Sequence, residues 1–449
     1  MSEPSTGPTP SGPDKSADGD MADGDVTDGD MAYGDTAYGD ESARSLDRRD
    51  PLAALRERFV LDPGTVYLDG NSLGALPGSV PARVADVVER EWGRLRIRSW
   101  TESGWWDAPE RVGELVAPLL GAAPGQVVVA DSTSVNLFKA TVGAVRIAQA
   151  GETGVPGAAP QRTELLVDQA TFPTDGYIAA SAARLTGCTL RPVPAADVPS
   201  AVGPRTAAVL LNHVDYRTGE LHDLPALTAA VRAAGAVSVW DVCHSAGALP
   251  LGLDAHGVDL AVGCTYKYLN GGPGSPAFLY VRRGLQPRFD SPLPGWNSHA
   301  EPFAMAAAYE PAAGAGRGRV GTPDILSLSA LEEALRVWEG VRVQDVRAKS
   351  LALTDFFLRR VGELVPPGAA VSLTSLTPRE HARRGSQVAL LCDPADEAER
   401  VMKELAAHGV IGDFRYPGVL RFGFTPLYTS FEDAERAARV LGEVTGGPR

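Results

Sequence analysis

Two neighbouring stretches decide the fold: AVSVWDVCHSAG at 236–247 and GVDLAVGCTYKYLNGGPG at 257–274. In the first, VSVW is apolar almost throughout and runs directly into an acid, Asp241. A short apolar run of this kind, bounded by turn residues, reads as a strand buried on both faces. The second stretch carries a similar run, LAVGC, and then Lys267 within TYKYL ahead of a glycine-rich turn. An acid at the C-terminal edge of a parallel strand lies where open α/β sheets hold their ligands. Taken alone, Asp241 is as readily a helix cap or a solvated loop acid. A lone lysine is usually a solvated surface charge. Here its neighbours are Thr265, Tyr266, Tyr268, Leu269 and Gly271. They keep the amine from bulk water, and desolvation frees an amine to act as a nucleophile.

Working outward, VVVA at 127–130 is a buried strand, followed by polar DSTS and an apolar helix, NLFKATVGAVRIA. Thr133 and Ser134 at that helix start form an anion site, because hydroxyls, free amides and the helix dipole all favour a phosphate. By itself such a pair is most often a cap. Together the three features suit pyridoxal 5'-phosphate (PLP). Asp241 keeps a pyridinium nitrogen protonated, Lys267 makes the Schiff base and moves protons, and the helix start takes the phosphate. Further strands fall at 165–168, 206–214 and 276–283, with a helix at 224–235. Strands alternating with helices predict an α/β fold with a mainly parallel sheet covered by helices. Upstream, Val80, Val84, Val87, Val88 and Trp92 have helical spacing over 80–95. From residue 326 the pattern changes: a long helical stretch from Leu326 to Val361, VALLC at 388–392, a helix over 396–409, VLRFGFTP at 419–426 and a last helix over 431–444. This predicts a smaller α+β domain at 326–449 behind a large domain at 51–325.

Composition limits the function further. The chain has 449 residues, 44% hydrophobic, with a net charge of -14. Residues 1–50 hold 13 acids and 4 bases, so most of that charge sits in a tail containing DGDMADGDVTDGDMAYGDTAYGD. A segment so poor in aliphatic residues cannot offset the entropy of ordering and is read as a disordered acidic tail without chemistry. No basic stripe appears, which excludes nucleic acid as the expected partner. Cys188, Cys243, Cys264 and Cys392 form no CxxC pair and no metal-ligand spacing, so no metal is expected. They read as reduced thiols in a cytoplasmic protein. No apolar run approaches the ~18 residues of a membrane span.

Ten motifs, in order from about residue 51 to the C-terminus, resemble those of kynureninases. They are DGNSLG (69–74), DSTSVNLFK (131–139), FPTD (172–175), HVDYRTG (213–219), DVCHSAG (241–247), TYKYLNGGPG (265–274), PGW (294–296), GTPDILSLSALE (321–332), RGS (384–386) and LRFGFTPLY (420–428). The resemblance implies the type I PLP-transferase fold, class V aminotransferase-like. It also implies hydrolysis of L-kynurenine or 3-hydroxy-L-kynurenine to anthranilate or 3-hydroxyanthranilate and L-alanine. Lys267 would carry the cofactor, Asp241 would pair with its ring nitrogen, His244 would lie beside it, and Tyr266 would contact its phosphate and deliver protons. Thr133 and Ser134 would hold the phosphate. Phe172 would stack on the ring, with Pro173, Thr174 and Asp175 in the same turn, Asp175 near the ring's substituents and Asn212 close by. Trp296 and Thr322 would reach the phosphate of a partner subunit, which implies a homodimer. Arg421 would clamp the substrate α-carboxylate with its two-pronged guanidinium, near Ser72.

On residue chemistry alone, His244 is as readily a core histidine, Phe172 and Trp296 core aromatics, and Arg421 the solvent-facing residue of a strand. Two positions depart from the pattern. Ser298, in GWNSH, replaces a glycine beside Asn297, so the loop is expected to be less free to take positive φ. Asn212 stands where bacterial relatives more often carry Thr or Ser, and is expected to donate a hydrogen bond. The alternative functions are another class V enzyme (an aminotransferase or a desulfurase-like lyase) or a PLP-binding regulator without turnover. Substrate preference is left open, as is the choice between tryptophan catabolism toward NAD and a specialised biosynthetic pathway.

Overall fold

The computed structural model describes residues 42–151, 162–365 and 368–446. The Gly-Asp repeats lie outside the described residues. The last residues assigned to the tail do not behave as tail. Ala43–Arg49 is a helix capped by the Ser42 hydroxyl, with Leu46 buried. The Asp47 carboxylate accepts from the Phe431 and Glu432 amides at 2.7 and 3.0 Å. It thereby satisfies free N–H groups at the start of the last helix, Phe431–Thr445. Composition misassigned these residues because a seven-residue helix with one leucine and one cap carries little apolar signal.

Strand β1 (Val66–Tyr67) precedes the main sheet, which comprises β2 (Val127–Val129), β3 (Glu164–Asp168), β4 (Thr189–Val193), β5 (Thr206–Asn212), β6 (Val237–Asp241), β7 (Leu260–Gly263) and β8 (Phe278–Val281). Their order is β2-β8-β7-β6-β5-β3-β4. Pairing is parallel from β7 to β4, whereas β8 runs antiparallel to both its neighbours. The cause is the connection. A parallel return needs a crossover, usually a helix, and the loop from β7 to β8 contains none. That loop carries Lys267. The helix Thr133–Ala150 packs across β5, β6 and β7.

Downstream lie β9 (Ser372–Ser375), β10 (Gln387–Asp393), β11 (Val410–Ile411), β12 (Asp413–Arg415) and β13 (Val419–Gly423). Four of them form an antiparallel sheet, β12-β13-β10-β9, and β11 pairs in parallel with β1. The expected long helix over 326–361 is two helices, Ile325–Ala334 and Val343–Leu364. Gly340, at φ 75°, turns the chain between them in a conformation that other residues adopt only with strain. The first helix packs on Val80–Asp86 and Ala108–Val116, whereas the second packs on the last helix. The C-terminal core accordingly begins near Ala352, later than residue 326, and takes in Ala43, Leu46, Val66 and Leu68. The helix expected over 80–95 is α-helical to Asp86 and then π-helical over Val87–Leu95. The wider turn leaves Val88 and Trp92 exposed rather than on the buried face. Among the described residues, no helix is long and apolar enough to cross a membrane.

Candidate active site

The C-terminal ends of β5 and β6, the loop after β7 and the starts of two helices converge on one cleft. Each contribution follows from local sequence. β6 ends at Asp241, whose Oδ1 accepts from the Cys243 amide at 2.7 Å and so fixes the turn that aims His244 inward. Pro173 opens the helix Pro173–Thr186, with Asp175 in its first turn. Gly74 lets the DGNSLG turn lie against the lysine loop. Its amide donates to the Tyr266 carbonyl at 2.7 Å, and a Cβ there would lie 2.3 Å from the Lys267 carbonyl oxygen.

Thr133, Ser134, Phe172, Thr174, Asp175, Asn212, Asp241, His244, Tyr266 and Lys267 all line this cleft. Pro173 serves as the first residue of the helix rather than as lining. Lys267 Nζ lies 2.9 Å from His244 Nε2. His244 is buried, and burial followed by the charge of Lys267 holds its imidazole well below its ordinary value. Asp175 is pushed well above the usual carboxylate range, first by burial and then by the adjacent Asp241. The Tyr266 hydroxyl is raised by the charge of the neighbouring Cys264 and by burial, so it stands as a neutral O–H. Asn212 spends its amide on the Val214 carbonyl at 3.4 Å and leaves Oδ1 buried without a partner among the described residues. It thus donates a hydrogen bond, as its chemistry suggests, through one of the two N–H groups of its amide.

Arg421 is not solvent-facing; it is 2% exposed. Its Nε and Nη2 grip Asp413 at 2.8 and 2.6 Å, Nη2 also donates to Ser72 Oγ at 3.0 Å, and Nη1 donates to the Tyr216 carbonyl at 2.6 Å. The two-pronged face expected to meet the substrate is therefore occupied by Asp413, and one Nη1 N–H is left uncommitted among the described residues. Asp69, beside this group, is raised to about 6, first by burial and then by Asp413.

Trp296 and Thr322 stand outside the cleft. Trp296 is 41% exposed in a group with Trp106 and Phe303, and Thr322 lines a separate depression with Asn297 and Asp131. Ser298 does not strain its loop. It lies in the 3-10 turn Trp296–Ser298, without positive φ, and its hydroxyl bonds back to the Gly295 backbone. Sequence reasoning missed Tyr216, Cys243, Gln387 and Asp413. Tyr216 packs edge-on to Phe172 at 5.1 Å and lines the cleft, as does Cys243. Gln387 bonds His244 Nδ1 at 2.9 Å. Tyr216 and Cys243 stood inside quoted motifs; Asp413 lay in a three-residue strand with no apolar signature.

This fold, with a lysine after one strand of the main sheet and an acid at the end of its neighbour, defines the PLP-dependent class V aminotransferase type. Two cysteine desulfurases, from Thermococcus onnurineus NA1 and Escherichia coli, superpose with TM-scores of 0.72 and 0.73 at 18% identity, each covering 88% of this chain and 98% of its own. A family model described as the kynureninase C-terminal domain matches residues 346–441. A kynureninase from Pseudomonas fluorescens is 46% identical over 403 residues, 89% of this chain and 94% of its own. One from Burkholderia pseudomallei (strain 1106a) is 47% identical over 408 residues, covering 90% and 95%. The chain belongs to the kynureninase family.

Proposed function

We propose that this protein is a PLP-dependent kynureninase that cleaves L-kynurenine, or its 3-hydroxy form, by hydrolysis to the aromatic acid and L-alanine. The observation that carries the reading is the joining of Lys267, Asp241 and a helix-start hydroxyl pair in one cleft of a kynureninase-family chain. The residues fit the cofactor. Two abutting carboxylates, Asp175 and Asp241, together with the unpartnered Asn212 Oδ1, suit a ring nitrogen that carries a proton. Thr133 and Ser134, at the start of an 18-residue helix, suit its phosphate. Bound there, the cofactor supplies an electron sink for charge released at the α- and β-carbons of the amino acid. Lys267 would hold the cofactor and, as a free amine, would take the α-proton of the bound amino acid. Tyr266, kept as a neutral O–H, delivers protons as the bond between the side-chain carbons breaks. The α-carboxylate is held by the uncommitted Nη1 N–H of Arg421, while the Ser72 hydroxyl accepts from Nη2 and donates to Asp413, steadying the guanidinium. In this reading a single N–H, rather than a two-pronged clamp, meets the carboxylate, because Asp413 takes Nε and Nη2.

A desulfurase reading needs a mobile nucleophilic cysteine. Cys392 is buried in β10, and burial pushes its thiol up to about 11. The enzyme is further proposed to be a homodimer in which Trp296 and Thr322 serve the partner's cofactor. The exposed cluster of Trp296 with Phe303, itself 72% exposed, supports this arrangement. The large unit is proposed to hold the cofactor and the C-terminal unit to supply Arg421. Four free thiols support a cytoplasmic setting. Steady-state assays on kynurenine and 3-hydroxykynurenine test the function. Release of the aromatic acid is expected, and bound cofactor without turnover would favour the regulator reading.

A further inference from the structure

We propose that Gln387 is a positioning residue that fixes the tautomer of His244, holding the proton on Nδ1 so that Nε2 presents its lone pair to Lys267. The inference rests on the function proposed above only in taking Lys267 as the cofactor lysine.

Gln387 begins β10 in the C-terminal sheet and is fully buried. Its side chain crosses to the main sheet's edge, where Nε2 donates to the carbonyls of Asp215 at 3.2 Å and Tyr216 at 3.1 Å. Asn71 Nδ2 approaches Oε1 from another side at 3.4 Å. Carbonyl oxygens only accept, so the amide cannot turn over without setting its own oxygen against two others. The main chain, not the histidine, therefore settles which end of the amide faces His244. That end is Oε1, 2.9 Å from Nδ1, and Nδ1 must carry a proton to meet it. A buried imidazole held well below its ordinary value has only that one proton. Nε2, 2.9 Å from Lys267 Nζ, is left as an acceptor, and the lysine donates whenever it stands as the free amine. A histidine ring's orientation and tautomer are set by the bond its far nitrogen makes. The Tyr216 carbonyl accepts from both Gln387 and Arg421, so the tautomer lock and the carboxylate-binding arginine share one anchor.

Nitrogen-15 NMR of the full-length, cofactor-loaded protein labelled at histidine tests this. The His244 signals are assigned by their loss in His244→Asn. The expected result is a protonated Nδ1 and an unprotonated Nε2. In Gln387→Met, similar in length but without the amide, Nδ1 should lose its preference and kcat should fall about tenfold, the scale of one lost hydrogen bond. A proton on Nε2 in the wild type, alone or on both nitrogens, would overturn the inference. So would an unchanged tautomer in Gln387→Met. Should that variant fail to fold, the wild-type spectrum alone decides. Borohydride reduction and peptide mapping of the loaded enzyme locate the cofactor lysine separately. Attachment away from Lys267 would sink the functional reading, whereas the His244 spectrum judges the tautomer.

Discussion

Replacing Arg421 with lysine separates substrate recognition from cofactor binding. Arg421 is buried and makes four polar contacts: two to Asp413, one to Ser72 and one to the Tyr216 carbonyl. A lysine ammonium reaching the same place can keep one Asp413 contact. It cannot reach the Tyr216 carbonyl as well or present a further N–H in the guanidinium plane. Asp413 would not be stranded, because Arg415 also pairs with it at 2.8 Å. The stability loss should therefore stay near 2–3 kcal/mol, below the cost of leaving a buried charge unpaired. The lost charged hydrogen bond to the α-carboxylate is worth about 2–3 kcal/mol, which lowers kcat/KM by roughly two orders of magnitude. Steady-state kinetics on kynurenine and 3-hydroxykynurenine should show the same loss for both, because the contact reads the end they share. The visible absorbance of the bound cofactor should be unchanged. Wild-type kcat/KM, or a change only in the preference between the two substrates, would refute the reasoning and move carboxylate binding to another residue.

Two further expectations concern the N-terminus and Asp69. Deleting residues 1–41 should leave kcat/KM within about a factor of two, under about 0.5 kcal/mol. Deleting 1–50 should lower stability by about 2–4 kcal/mol, since it removes the buried Leu46 and the Asp47 cap on the last helix; equal melting temperatures for the two truncations would contradict the packing described. Asp69 has its folded value raised from 3.8 to about 6. Its contribution to stability is therefore fully present below pH ~4 and lost as pH rises through about 6. Asp69→Asn should gain on the wild type by about 1–2 kcal/mol at pH 8 relative to pH 4, after discounting for partial exposure, and a gain confined to acid pH would reverse the assignment.

Much of the main sheet was legible because its strands are buried on both faces and read as continuous apolar runs, as in VSVW before Asp241. The direction of β8 was not, since pairing sense depends on what lies between strands, and a loop that carries chemistry has no pattern of its own. β12 escaped notice because three half-buried residues give no periodicity, and Asp413 escaped with it. The cleft residues near Lys267 were legible as motifs, with Asp241 and Lys267 readable from chemistry alone. Gln387 could not be found that way. It lies at a strand end 143 residues from His244, and only folding brings the two within hydrogen-bond reach. The apolar spacing over 80–95 suggested one regular helix, but the π-helical stretch after Asp86 keeps Val87 buried and turns Val88 and Trp92 outward.

The central claim is that Lys267 holds the cofactor and moves the proton, and Lys267→Ala tests it most directly. The purified wild-type protein is expected to be yellow, with a visible band from the lysine-bound cofactor. After dialysis, the alanine variant should lose that band and all measurable turnover of kynurenine, while retaining the wild-type far-ultraviolet circular dichroism. An unchanged band with normal turnover would show that the cofactor is held elsewhere and would contradict the account.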